Sequence, residues 1–361
     1  MPNKRVCLFN SHKSWGGGEK WYYDMATRLA ARGHNITVVT NKRSELKRRL
    51  QNVALNKYDI KVTNLSFLNV FVLIKICRII RKERVETIIV NLSTDLKTAG
   101  IAAKIAGTKK IFYARGIAKP VRNSFLNRWL FRRILTGVIA NSEETKSSIL
   151  KNNPVLISPS KIEVVYLGID LENIPEQIKD PIRVSQANKI ILGTAGRLEK
   201  VKNHKFLIEA AKRLKEKGVQ FKLLIAGEGS LKNELTAYTK SMGLENEIEF
   251  LGFIDDIASF MAAIDVFVLS SFSEGFGYVL IEAMAFKKPV IAFNHSSSPE
   301  IVIDQQTGFL IPKNDTEEFV EKTLMLLKNH NLCDQFGENG RKRVEEKFTL
   351  EMTLNELEKI I

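Results

Sequence analysis

Short apolar runs alternate with helical stretches along this chain, and the alternation is run through twice. VCLFN precedes a helical stretch from Glu19 to Ala31, and NITVVT follows. VETIIV, a stretch from Asp95 to Ala106, KKIFYA, GVIANS and KIEVVYL continue the series. Near-continuous apolar strands suit a parallel sheet buried on both faces, because crossover helices cover each side. The pattern predicts doubly wound α/β layers. DLENIPEQIKDPIRVSQAN, polar and carrying Pro175 and Pro181, interrupts it and reads as a linker. KIILGTAG, a helix over His204–Lys217, FKLLIAG, EIEFLG, DVFVLSS and KPVIAF then restart it, before final helices with no strand between them. At 361 residues two domains are expected. The reading is two Rossmann-like domains facing a cleft: residues 1–170, a linker over 171–188, and residues 189–345. A helix over 346–361 is expected to return to the first domain.

The net charge of +15 is unevenly spread. Residues 1–180 hold 32 Lys and Arg against 14 Asp and Glu, whereas residues 181–361 hold 23 against 26. The excess suggests that the first half meets an anionic partner such as a membrane surface or nucleic acid. General solubility charge is the plainer alternative. Cys7, Cys77 and Cys333 lie far apart with no C-x-x-C pairing, which fits a reducing cytosol. The N-terminus runs straight into a strand, so no signal peptide is expected. No apolar run has the length of a spanning helix.

In doubly wound sheets, ligands bind where strands end and helices begin. Three loops fit that place. SHKSWGGGEK carries Gly16, Gly17 and Gly18, which permit close backbone approach to a ligand or serve a plain tight turn. GTAGRLEKVKN carries Arg197 and Lys202, two cations ahead of a helix. Cations there oppose the helix dipole, so a bound diphosphate gives them a reason. SSFSEGFGYVLIEAMAFKKPVIA carries Glu274 and Glu282, with Gly275, Phe276 and Gly277 between them. A carboxylate accepts two hydrogen bonds and suits a vicinal diol such as ribose. Apolar neighbours of Glu282 argue that it is not a mere surface charge. There is no D-x-D pair, H-E-x-x-H, G-x-S-x-G, P-loop or G-x-G-x-x-G.

Together, GRLEKVKNHKFLIEAAKRL, LLIAGEGSLKNEL, IEFLGFIDDIASFMAAIDVFVLSSFSEGFGYVLIEAMAFKKPVIA, GGGEKWYYDMATRLAARGHNITVVT, ANSEETKSSIL and VVYLGID resemble a retaining glycosyltransferase of family 4. Members of that family with the two-domain GT-B fold include bacterial enzymes of envelope polysaccharide and lipopolysaccharide synthesis. The resemblance covers nearly the whole chain, and Glu274 and Glu282 match the family's E-x7-E pattern. It implies that Arg197 and Lys202 bind the nucleotide diphosphate and Glu282 the ribose. Glu274 would contact the donor sugar, with backbone amides around Gly275, Phe276 and Gly277. Backbone near Phe253 and Ile254 would meet the base, Gly227 would belong to the same nucleotide-sugar site, and Gly17 and Gly18 would line the acceptor side. Three positions depart from the family pattern. Arg115, in FYARGIAKP, stands where many members have an acceptor-side histidine. Leu167-Gly168 replaces Asn-Gly, and Ser297-Ser298-Pro299-Glu300 replaces a Gly-Gly before glutamate.

The expected activity is metal-independent, retaining transfer of a hexose-type sugar from a UDP- or GDP-sugar to a glycan or lipid-linked acceptor. The nucleotide sugar is a substrate, and no cofactor or metal is expected. A nucleotide-sugar epimerase or hydrolase of the same fold is one alternative. A non-catalytic protein binding an anionic surface is another; nucleic-acid modules are not evident, and nucleic acid is not an expected partner. FLNVFVLIKICRIIRKER and ARGIAKPVRNSFLNRWLFRRIL join apolar and basic residues as interfacial segments do. They predict peripheral contact with an anionic membrane, on the cytoplasmic face, and an anionic or membrane-held acceptor. Crossover helices with core-facing apolar residues are the alternative.

Overall fold

The computed structural model describes residues 3–175 and 190–361. Most of the segment read as a linker, residues 176–188, lies outside the described residues. The chain divides into two compact units, Met1–Leu167 with Met352–Ile361, and Gly168–Glu351.

The first unit is built on β1 (Arg5–Asn10), β2 (Asn35–Thr40), β3 (Asn56–Asp59), β4 (Thr87–Val90), β5 (Lys110–Arg115), β6 (Gly137–Ala140) and β7 (Ile162–Val164). Their order is β3-β2-β1-β4-β5-β6-β7, and every pairing is parallel. Leu8 lies opposite Val38 and Ile89, and all three are buried. The second unit holds β8 (Ile190–Ala195), β9 (Phe221–Ala226), β10 (Ile248–Gly252), β11 (Val266–Leu269), β12 (Val290–Phe293) and β13 (Gly308–Ile311). Their order is β10-β9-β8-β11-β12-β13, again wholly parallel. In both sheets the strand order reverses beside the first strand, between β1 and β4 and between β8 and β11. Such a reversal leaves a crevice at the carboxyl ends of the strands. The apolar alternation therefore forms the two Rossmann-like layers it predicts. Two edge strands escape it: NKYD of β3 has almost no apolar residue, and GFLI of β13 stands among the final helices, where no strand was expected.

Helices α1 (Gly17–Ala31), α2 (Glu45–Arg49), α3 (Val70–Lys82), α4 (Ser93–Asp95), α5 (Ile101–Ala106), α6 (Phe125–Trp129) and α7 (Glu143–Leu150) link the first set of strands. A π-turn at Leu96–Gly100 joins α4 to α5, and another at Leu130–Ile134 extends α6. In the second unit come α8 (His204–Glu216), α9 (Lys232–Ser241), α10 (Ile257–Ala263), α11 (Tyr278–Ala285), α12 (Ser298–Ile301), α13 (Thr316–Lys328) and α14 (His330–Lys347). α8 buries Phe206, Leu207, Ala210, Ala211 and Leu214, the spacing of one helical face against the sheet. α7 and α13 start at Ser142 and Asp315, whose side chains accept from the amides of Thr145 and Glu318 and satisfy donors the first turn leaves open.

The last helix, α15 (Leu350–Ile360), ends within the first unit. There the Glu358 carboxylate meets Arg32 Nη1 at 2.6 Å and His34 Nε2 at 2.9 Å. Lys4 Nζ donates to the carbonyls of Glu358 and Ile361 at 2.6 and 2.7 Å. Among the described residues no helix is long and apolar enough to cross a membrane.

Candidate functional site

Because the second sheet is parallel, the loops after β8, β9, β10, β11 and β12 all leave from its carboxyl edge. Backbone hydrogen bonds stitch three of them together. Gly196 N donates to Ala226 O at 2.9 Å, Gly227 N to Gly252 O at 2.7 Å, and Leu198 N to Glu228 O at 2.9 Å. Gly227 has φ +139, and a Cβ there would lie 1.9 Å from Gly196 O. Its glycine is thus required by the close approach of two loops. That packing fixes the loop bearing Arg197 and Lys202.

The loops after β8 and β11 meet through Lys202 and Glu274. Lys202 Nζ lies 2.5 Å from Glu274 Oε1. Ser270 Oγ donates to the carbonyls of Lys202 and Asn203 at 3.1 and 3.0 Å, and Phe272 N donates to Val201 O at 2.8 Å. The backbone of Glu274 is held from the β12 loop: its amide donates to Ser296 Oγ at 3.1 Å, and its carbonyl accepts from the hydroxyls of Ser296 and Ser297 at 2.8 and 3.2 Å. Ser296 and Ser297 therefore fasten the Glu274 loop. Sequence pattern alone did not single out that role.

Arg197 is placed apart from this pair. Its Nη1 lies 2.7 Å from Glu199 Oε1, and its side chain is largely exposed. Glu282 sits in α11 and is buried among Leu280, Ile281, Ala283 and Met284 of the same helix. Gly277 is the N-cap of α11 with φ +86, a left-handed conformation that favours glycine. Gly275 lies in the same loop. The Phe276 ring is buried against Phe348, with centroids 5.7 Å apart, so any ligand contact from this residue must come from its backbone. Phe253 is exposed and Ile254 half-buried beyond β10. His204, which opens α8, was not anticipated. Burial, and secondarily Lys202, push its pKa down to about 4, so it stands neutral beside the cation.

In the first unit, Gly16 caps α1, and Gly17 and Gly18 form its first turn. A Cβ on Gly18 would meet nothing within 4 Å, so packing does not demand glycine there. Arg115 ends β5 and donates through Nη2 to the Lys119 carbonyl and through Nη1 to the Tyr113 hydroxyl at 3.4 Å. A buried polar group behind the β1 loop was also not anticipated. Asp95 accepts from Ser11 N at 3.1 Å, Ser11 Oγ at 2.5 Å and Leu92 N at 3.2 Å. Burial nevertheless pushes its carboxyl up to about 6. Glu19, also buried, lies 3.1 Å from His12 Nδ1 and accepts from Asn10 Nδ2 at 3.4 Å. Nothing in the sequence marks these residues except their position after β1 and β4.

Two loops carry a buried carboxylate–ammonium pair and an exposed guanidinium, and α11 a second buried carboxylate, groups that can bind a polyhydroxylated anion. A family model described as glycosyltransferase family 4 matches residues 15–173, and one described as glycosyl transferases group 1 matches residues 176–343. The chain is 32% identical over 239 residues to an N-acetylgalactosamine-N,N'-diacetylbacillosaminyl-diphospho-undecaprenol 4-alpha-N-acetylgalactosaminyltransferase of Campylobacter jejuni, covering 66% of this chain and 63% of that one. It is 28% identical over 354 residues to the capsular polysaccharide biosynthesis glycosyltransferase CapM of Staphylococcus aureus, covering 91% of this chain and 90% of that one. Its fold is similar to that of Anabaena Alr3699/HepE, solved with UDP and glucose, with a TM-score of 0.84, 23% identity and 98% of each chain covered. With a family 4 domain followed by a group 1 domain, the chain belongs to the glycosyltransferases of GT-B type.

Proposed function

We propose that the protein transfers a sugar, with retention of configuration and without a metal, from a nucleotide-diphosphate sugar to a glycan or lipid-linked acceptor of the bacterial envelope. The donor class is a UDP- or GDP-hexose. The Campylobacter relative is named for a diphospho-undecaprenol acceptor and the Staphylococcus relative for capsular polysaccharide, which supports an envelope role. Peripheral contact with the cytoplasmic face of an anionic membrane accompanies such an acceptor.

The observation that carries the reading is the Lys202–Glu274 contact, which joins the β8 loop that also bears Arg197 to the β11 loop that leads into the helix of Glu282. In the reaction the anomeric C–O bond breaks and its electron pair leaves with the diphosphate. Lys202 and Arg197 stabilise that charge in the role a metal fills in other enzymes. The acceptor hydroxyl attacks the face the phosphate leaves, and a phosphate oxygen takes its proton. Glu274 orients the sugar, and Glu282 accepts from the ribose hydroxyls. Arg115, Gly17 and Gly18 serve the acceptor side, with Gly227, Phe253, Ile254 and the backbone of residues 275–277 around the nucleotide.

Thermal stabilisation by UDP, GDP and ADP tests the donor reading, since a ligand of the native state raises its melting temperature. A shift with one diphosphate is expected, and no shift with any of them overturns the reading. Turnover in excess chelator tests metal independence, and the anomeric configuration of the product tests retention.

A further inference from the structure

Leu65, Leu68, Val70, Phe71 and Ile74 all stand exposed around the turn that opens α3, Phe71 at 84%. The same helix buries Ile76, Cys77, Ile79 and Ile80 against the sheet. Its core-facing residues are therefore already in place, and the exposed set is additional. α6 repeats the arrangement. Phe125 and Trp129 are exposed, while Leu130, Phe131 and Ile134 after them are buried. Single exposed apolar residues are ordinary, but a run of them marks an interaction surface.

The two sets belong to one layer. α3, the α4–α5 run and the α6 run share a single core cluster. Gly100, whose missing Cβ would lie 3.4 Å from Ile134 Cγ2, lets the second and third pack closely. These helices follow β3, β4 and β5 of one parallel sheet, so they are entered from the same edge.

The charge of this layer selects its partner. Residues 60–82 hold five Lys and Arg and no acid, and residues 96–142 hold ten and no acid. Lys75, Arg78, Arg122, Arg132 and Arg133 are exposed among the apolar side chains. A second copy docked face to face would set like charges against each other. Nucleic acid would leave the aliphatic residues without a role. A bilayer interface takes both, with apolar side chains below the headgroups and cations at the phosphates.

We propose that the turn opening α3, together with α6, seats the protein on an anionic lipid surface. This deepens the membrane contact proposed above and rests on that reading for its purpose, while its chemistry stands on the surface itself.

Flotation with vesicles of equal parts phosphatidylglycerol and phosphatidylcholine tests it. Binding is expected at low salt, weaker at high salt, and weak on phosphatidylcholine alone. Leu68→Ser with Phe71→Ser should lower binding at least tenfold at either salt. Gln at Arg122, Arg132 and Arg133 should lower it and flatten its salt dependence. A wild-type protein that stays in solution with anionic vesicles at low salt overturns the proposal, as do variants that float like wild type. So does light scattering that finds a wild-type dimer and a monomeric Leu68→Ser, Phe71→Ser variant, because the face then belongs to a second copy. Nucleoside-diphosphate stabilisation is measured on the same proteins. Flotation without nucleotide binding supports this surface and defeats the transferase reading; nucleotide binding without flotation defeats this surface alone.

Discussion

Lys202 Nζ lies 2.5 Å from Glu274 Oε1, and the two side chains are only 16% and 11% exposed. A cation proposed for the diphosphate and a carboxylate proposed for the sugar thus neutralise each other. The contact holds the β8 and β11 loops in register. In the proposed reaction an incoming diphosphate would offer Lys202 a second anion, so the same ammonium would serve both fold and reaction.

Lys202→Ala and Arg197→Ala should therefore separate. Both should lower kcat by about 100- to 1000-fold, the usual effect of removing one charge-stabilising donor. Only Lys202→Ala should also lower stability, by about 3 kcal/mol, because it strands a mostly buried carboxylate. Arg197 is 67% exposed, and its loss leaves no buried partner behind. Lys202→Ala combined with Glu274→Gln should recover stability without recovering turnover. Melting curves and kcat for wild type and the three variants check this; wild-type kcat in Arg197→Ala removes that residue from the mechanism.

Glu282→Gln should weaken nucleotide affinity at least tenfold with little change in kcat at saturating donor, because a neutral amide accepts poorly from a diol. Glu274→Gln should leave affinity near wild type and lower kcat. Titration calorimetry with the nucleoside diphosphate decides between them. Equal affinity in wild type and Glu282→Gln would sink the ribose assignment.

Asp95 should make stability fall as pH rises through mildly acidic values. Its folded carboxyl, pushed up to about 6 by burial, keeps a proton that the unfolded chain releases near pH 4. Between those values the folded state binds more protons, so the contribution is full below about pH 4 and lost above about pH 6. The change is on the order of 2–3 kcal/mol. His204, with its lowered pKa, acts in the opposite sense over the same range. It is present in both proteins, so the difference between wild type and Asp95→Asn isolates Asp95. Urea midpoints from about pH 4 to about pH 7 measure that difference. A difference that does not vary with pH rules the elevated carboxyl out.

Gly227→Ala should destabilise the second unit by at least 1–3 kcal/mol, the range for a strained backbone, since a Cβ would lie 1.9 Å from Gly196 O. Nucleotide affinity should fall with it, because the displaced loop carries Arg197. Gly18→Ala should do the reverse. Its Cβ meets open space in the first turn of α1, so the melting temperature should hold or rise, while any loss of transfer marks a close ligand approach. A Gly227→Ala protein that melts like wild type would show that the loops repack freely.

Periodicity and turn chemistry made much of this molecule legible. Apolar runs such as VCLFN and DVFVLSS stand where β1 and β11 lie, because strands buried on both faces leave no room for polar residues. β3 was silent, since an edge strand needs little apolar content, and GFLI of β13, set between the polar stretches IDQQT and KND, was not read as a strand. Glu274, Glu282, Arg197 and Lys202 were conspicuous as charges at strand–helix junctions. The Asp95–Ser11 and Glu19–His12 contacts were not, because each joins residues on separate elements whose spacing carries no local signal.

The sequence by itself determined the parallel α/β layers and their repetition in two units, and it marked the strand–helix loops as candidates for a site. These follow from local period, glycine placement and strand burial, which any window of the chain displays. Only tertiary structure decided that Lys202 pairs with Glu274 while Arg197 turns to Glu199, that Ser296 and Ser297 hold the Glu274 backbone, and that α3 leaves its opening turn bare. Charge pairing depends on distances between residues far apart in sequence, and exposure depends on which neighbours cover a face. Neither quantity is carried by residue order alone.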